Sequence, residues 1–160
     1  MHPTASPATS WIETLGLTRH PEGGWYRETF RSSDTLNTAK GPRQALTLIH
    51  FALDAGEVSA WHRVSSDEAW IWCEGEPLEL TVVSSDLARV ERVRLGPTTR
   101  GCVPHHVVPA GAWQAARSTG SGSLVTCCVA PGFEFADFQL LSQMPTELTA
   151  FRQAFPKLVP

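Results

Sequence analysis

The chain has 160 residues, 13 Lys and Arg against 16 Asp and Glu, and a formal net charge of -3. That length holds one ordinary domain with a full apolar core, and the scattered basic residues form no stripe of the kind that nucleic acids require. The most apolar window, residues 45–53, contains Thr47 and His50 and falls well short of the roughly 20 apolar residues of a membrane span, so a soluble, cytoplasmic protein is expected.

Residues 1–9 read as a polar, Pro-containing leader ahead of a main domain over 10–142. Ser10 with Glu13 forms a capping-box pattern before Trp11, Ile12 and Leu15, and Gly16 supplies a stop, which predicts a short helix near 10–16. From there to 142, short β-rich runs alternate with clusters of Gly, Pro, Ser, Asp and Asn. The runs are 24–31, 44–54, 68–73, 78–84, 90–95, 105–108, 114–116, 124–129 and 135–140. This spacing predicts an all-β sandwich or barrel. Between the first two runs, residues 32–41 have few groups to anchor them and read as a mobile loop.

Residues 131–138 (PGFEFADF) read as packing and barrel closure. Over 143–160, Pro145 opens a helical turn, and Leu148, Phe151 and Phe155 give a C-terminal helix one apolar face against the same domain. Cys73, Cys102, Cys127 and Cys128 contain no CxxC pair, and neighbours in a strand point to opposite faces. Reduced thiols are therefore expected, with zinc as the alternative.

Residues 56–75 (GEVSAWHRVSSDEAWIWCEG) are the most informative stretch. His62 and Val64 are two apart on an extended segment and share a face, and a turn at Ser65–Ser66 sets Glu68 opposite them on the returning strand. An imidazole and a carboxylate then converge inside the barrel. Trp70 and Trp72 fall on the face of Glu68 and predict an aromatic wall, the usual make-up of a small-molecule pocket.

The spacing of Gly56, His62, Glu68 and Gly75 resembles the first cupin motif, G-x5-H-x-H-x3-E-x6-G, with Val64 at the second histidine. Pro109, Gly111 and Gln114 echo the second motif, G-x5-P-x-G-x2-H-x3-N, with Gln114 at its histidine and Val103 and Ser118 at its ends. The blocks at 20–32, 59–70, 107–116 and 129–140 are similar to those of the cupin family DUF985, also called Cupin_5. This chain has Ile71 and Cys73 where that family often has His, His50 where an aromatic residue is commoner, and His105 where Gln is common. The resemblance implies a double-stranded β-helix (a jelly-roll cupin barrel), usually a homodimer, with an unassigned activity, and the residues add the short N- and C-terminal helices to it.

Three readings of the site stand side by side. The first is a small-molecule pocket at the barrel mouth with Trp70, Trp72, Trp113 and Gln114, joined by Arg27, Arg31, His50 and His105 as ligand contacts. The second is an epimerase or isomerase for a sugar-like substrate, with His62 as base beside Glu68 and, by the same resemblance, Tyr26 as acid, the one tyrosine in the chain. The third is a divalent metal on a reduced ligand set of His62, Glu68 and Gln114, with His50 or His105 as replacement ligands.

Overall fold

The computed structural model describes residues 7–159. Helix α1 (Pro7–Leu15) is followed by β1 (Thr18–Arg19), β2 (Trp25–Arg31), β3 (Thr35–Thr38), β4 (Gly41–Gln44), β5 (Thr47–Asp54), β6 (Val58–Arg63) and β7 (Asp67–Gly75). Then come β8 (Leu78–Val83), β9 (Val90–Leu95), β10 (His105–Val108), β11 (Trp113–Ser118), β12 (Gly122–Ala130), β13 (Gln139–Leu140) and helix α2 (Pro145–Ala154).

The strands form a six-stranded sheet in the order β1-β2-β5-β12-β7-β10 and a five-stranded sheet in the order β13-β6-β11-β8-β9, with β3 and β4 as a separate hairpin. Alternation decides which face each residue takes. On β5, Phe51 and Leu53 join the core between the sheets, whereas Ala52 packs under α1 with Trp11 and Leu124. Trp70 of the larger sheet meets Leu78, Leu80 and Val82 of the smaller one, so a single core fills the space between two antiparallel layers. The two layers are the all-β sandwich that the strand spacing predicts, and their jelly-roll form is the one that the cupin resemblance implies, with two flanking helices.

Four local expectations change. Helix α1 begins at Pro7, so Ser10 lies inside it instead of capping it, and residues 7–9 are helix and not leader. Residues 1–6 of the expected leader lie outside the described residues. The expected mobile loop is the β3–β4 hairpin, held by Ser32 N–H on Leu46 O at 2.9 Å, Thr38 Oγ1 on Gly41 O at 2.6 Å and Lys40 Nζ on Ser65 Oγ at 2.6 Å. The run at 135–140 is one turn of 3-10 helix over 135–137 followed by the two-residue β13, because Arg43 grips Asp137 with two hydrogen bonds of 2.8 and 3.0 Å and turns the segment inward.

A bulge sets the geometry of β6. Gln114 pairs with His62, but two residues later Ala116 pairs with Ser59, so β6 carries one extra residue around Ala60 and Trp61. His62 is thereby turned inward while Trp61 packs against Phe151 of α2 at a ring separation of 4.9 Å. Trp61 Nε1 also donates to Leu158 O at 3.0 Å, which fastens the C-terminal tail to the outer face of the smaller sheet.

Candidate active site

One end of the barrel holds a cavity of about 440 Å³. Thr47 and Ile49 of β5, Tyr26 of β2, Cys127 and Val129 of β12, His62 and Val64, and Glu68 of β7 line it together with His20 and Glu22 from the β1–β2 turn. Phe133, Phe135 and Phe138 close one side. His62, Glu68, Glu22 and His20 are 2, 7, 8 and 8 % exposed, so water screens them little.

The backbone explains how Glu22 arrives. Residues 20–24 (HPEGG) form a tight turn in which His20 N–H donates to Gly24 O and Gly23 N–H to His20 O, and Ala60 N–H of β6 donates to Glu22 O at 2.7 Å. Gly23 has φ +102, and a Cβ there would lie 2.2 Å from the Val58 carbonyl oxygen. Only glycine lets the turn press this closely on β6 and carry Glu22 up to His62.

Hydrogen-bond partners fix where the protons sit. His62 Nδ1 lies 2.7 Å from the Ala60 carbonyl oxygen, which can only accept, so Nδ1 carries the hydrogen and Nε2 faces Glu22 Oε2 at 3.2 Å. His20 Nδ1 accepts the Glu22 backbone N–H at 3.2 Å and also lies 3.4 Å from Glu22 Oε2. Glu22 Oε1 accepts the Ser59 hydroxyl at 2.9 Å. Glu22 and His62 therefore share one proton, which resides either on the carboxyl or on Nε2.

Burial tilts that proton toward the acid. It pushes the Glu22 carboxyl up to about 8 against the opposing pull of the Ser59 hydroxyl, and it lowers the His62 imidazole more than Glu68 and the Ala60 carbonyl raise it. Burial, followed by repulsion from His62, brings His20 down to about 4. Glu68 is pushed up to about 7, burial outweighing attraction to His62 and being reinforced by Glu22.

Behind Glu68 runs a short polar chain. Trp70 Nε1 can only donate, and it donates to Gln114 Oε1 at 2.8 Å. That orients the amide so that Gln114 Nε2 donates to Glu68 Oε2 at 2.6 Å. Trp70→Phe keeps the ring but leaves a buried amide oxygen unpaired, so a loss of about 2 kcal/mol in denaturant unfolding is expected. A loss under about 0.5 kcal/mol would show that the chain of bonds does not hold the amide.

With that geometry in place, the comparison with known proteins is direct: residues 9–141 match the family model described as Cupin superfamily (DUF985), Cupin_5. The chain belongs to the Cupin_5 family. Among solved structures it is similar to a hypothetical protein from Leishmania major, at 32 % identity and a TM-score of 0.79, covering 91 % of this chain and 97 % of that one. It is also similar to protein SO0799 from Shewanella oneidensis, at 30 % identity and a TM-score of 0.78, covering 94 % and 98 %. An oxalate decarboxylase of Bacillus subtilis, 16 % identical with a TM-score of 0.60 and covering 88 % of this chain and 37 % of its own, shares the fold alone. No curated protein matches the chain.

Within this cupin barrel the residues expected from sequence fall into two groups. His62, Glu68, Tyr26, Arg27 and Arg31 line the cavity. Arg31 is already engaged by Glu28 and Glu134, whereas Arg27 donates from Nη1 to Leu15 O at 3.1 Å. Trp70, Trp72 and Gln114 point into the barrel but are not among the cavity's lining residues. Trp70 fills the core, Gln114 stands behind Glu68, and Trp72 donates to Glu76 O. Trp113 packs on the opposite side of the smaller sheet against Leu141 and Phe151.

His50 and His105 also lie away from the cavity. His50 alternates with the inward Ile49 and Phe51 and so takes the outer face of the larger sheet, and His105 is exposed on the edge strand β10. Neither supplies a replacement ligand.

A divalent metal does not fit the donors present. Val64 offers no lone pair, and the Gln114 oxygen is taken by Trp70 while its nitrogen donates to Glu68. Among the described residues, no group of three or more His, Cys, Asp or Glu is arranged to hold an ion.

The sequence reading missed Glu22, His20 and the three phenylalanines. Two consecutive glycines beside a His and a Glu are a local signal of close backbone approach. The residues at 131–138, read as packing, form the aromatic side of the cavity. No helix among the described residues is long and apolar enough to cross a membrane.

Proposed function

We propose that this cavity binds a small, largely neutral compound bearing hydroxyl or carbonyl oxygens, and that the Glu22–His62 pair moves a proton on it while Glu68 serves as a second acid. The observation that carries this reading is the 3.2 Å approach of His62 Nε2 to Glu22 Oε2, with Nδ1 held by the Ala60 carbonyl, inside an enclosed site. Acids and bases poised near neutral pH are what proton transfer requires. The interior holds two acids and two imidazoles with no Lys or Arg, and the cations Arg27 and Arg31 line the cavity from more exposed positions. A neutral polyol or carbonyl head suits the acids, and an apolar part suits the phenylalanine side. This supports an isomerase or epimerase type of reaction on a sugar-like substrate.

The test is deuterium wash-in next to the carbonyl of neutral aldoses and ketoses, followed by proton NMR. Wild type is expected to exchange the proton, and His62→Gln and Glu22→Gln to slow it by about 100-fold or more. Equal rates in all three proteins would overturn the reading. Stoichiometric tightly bound metal in untagged protein would do so as well.

The expected homodimer is part of the same proposal. The outer face of the larger sheet exposes Ile71 at 39 % and Val107 at 49 %, and a second copy of the chain covers them. Ile71→Glu with Val107→Glu should yield monomer by light scattering; an unchanged mass would place the interface elsewhere.

A further inference from the structure

The barrel has a second hollow that the acid site does not use. It lies on the outer face of the smaller sheet, roofed by α2 and the C-terminal tail, and encloses about 630 Å³. Its origin is visible in the register. Ala115 of β11 pairs with Thr81 of β8, which pairs with Arg92 of β9, so two short side chains lie beside a long one. One step along, Arg117 pairs with Glu79 and stands over the sheet. Trp61 and the tail it fastens at Leu158 make the far wall. The result is a trench with a floor of small and apolar residues between raised edges.

The charge of those edges is one-sided. Arg92, Arg117, Arg152 and Lys157 line the trench against one acid, Glu79. Arg117 is paired with Glu79 at 3.1 Å. Arg92 and Lys157 have no carboxylate partner among the described residues, and both also line an adjoining hollow of about 620 Å³ on the other side of the tail. Two unneutralised cations at the end of an apolar trench of ligand size match a molecule with an apolar body and one anionic end.

We propose that this trench binds an amphipathic monoanion of the medium-chain carboxylate class, its chain along Ala115, Leu148 and Leu158 and its carboxylate between Arg92 and Lys157. The ligand's head is held by charge and its tail by displaced water, so both parts contribute. The inference stands apart from the acid site and does not depend on it.

Decanoate is the probe, with decanol and decylammonium as controls, and the readout is the indole N–H signal of Trp61 in nitrogen-resolved NMR of the full chain. Decanoate is expected to shift that signal in a saturable way, and Arg92→Ala with Lys157→Ala to weaken binding about tenfold. Ala115→Leu, which fills the floor from an outward-facing position, is expected to abolish the shift. Decanol binding as tightly as decanoate, decanoate binding unaffected by the double variant, or no shift of Trp61 at any concentration would each overturn the proposal.

Discussion

Gly23→Ala should destabilise the protein by about 3 kcal/mol or more, because the added methyl group meets backbone on one side and an unfavourable dihedral on the other. At φ +102 an L side chain is strained wherever it sits, and here its Cβ falls 2.2 Å from the Val58 carbonyl oxygen. That atom belongs to a paired strand and cannot swing aside as the end of a flexible side chain would. The turn must instead lift from β6, which breaks the bond from Ala60 N–H to Glu22 O and draws the Glu22 carboxyl away from His62. Calorimetry should record a fall of roughly 10 °C in Tm for a chain of this length. A change of less than about 2 °C would mean that the turn does not approach β6 as described.

The second large effect is on the pH dependence of stability. Glu22 and Glu68 titrate in the folded protein at about 8 and about 7, above their ordinary range. The folded state therefore holds protons that the unfolded chain releases, and these two groups make stability fall as pH rises through the window. His20, lowered to about 4, and His62, also lowered, act in the opposite sense: below about 6.5 the unfolded chain binds protons that the folded imidazoles refuse.

Between about pH 4.5 and 6.5 the two effects oppose each other. Above that the unfolded histidines lose their remaining protons and the carboxyls dominate. Stability should then drop by roughly 2 kcal/mol from pH 6.5 to 8. Urea midpoints across this range check the slope, and Glu22→Gln, which carries no titrating proton, should flatten most of it. A rising midpoint over the same interval would contradict the assignment of raised carboxyl values.

Much of the barrel was legible because alternation and turn residues are local signals. Glu68, Trp70 and Trp72 share the inward face of β7 as their spacing of two requires, and Pro145 announces the start of α2. The His62–Glu68 convergence was legible only in part: the expected hairpin does not form, because β6 and β7 run in different sheets, and the two side chains line one cavity from opposite walls of the barrel. What stayed hidden depended on contacts between distant segments. Glu22 becomes an acid partner through a turn that docks on β6, and the phenylalanines reach the cavity because Arg43 grips Asp137. Trp70 and Trp72 show the limit of face arguments. Period two places a side chain inside the barrel, but depth along the axis decides whether it borders the cavity or fills the core beneath.

The position of β12 between β5 and β7 has a consequence for how the protein is made. The polar cavity draws on residues from His20 to Phe138, so a nascent chain still lacking β12 and the phenylalanine segment leaves Glu22, His62 and Glu68 in contact with solvent. While solvated, those carboxyls are ionised at neutral pH. Closure of the barrel over them is then a step that takes up protons from the medium as distant strands pair.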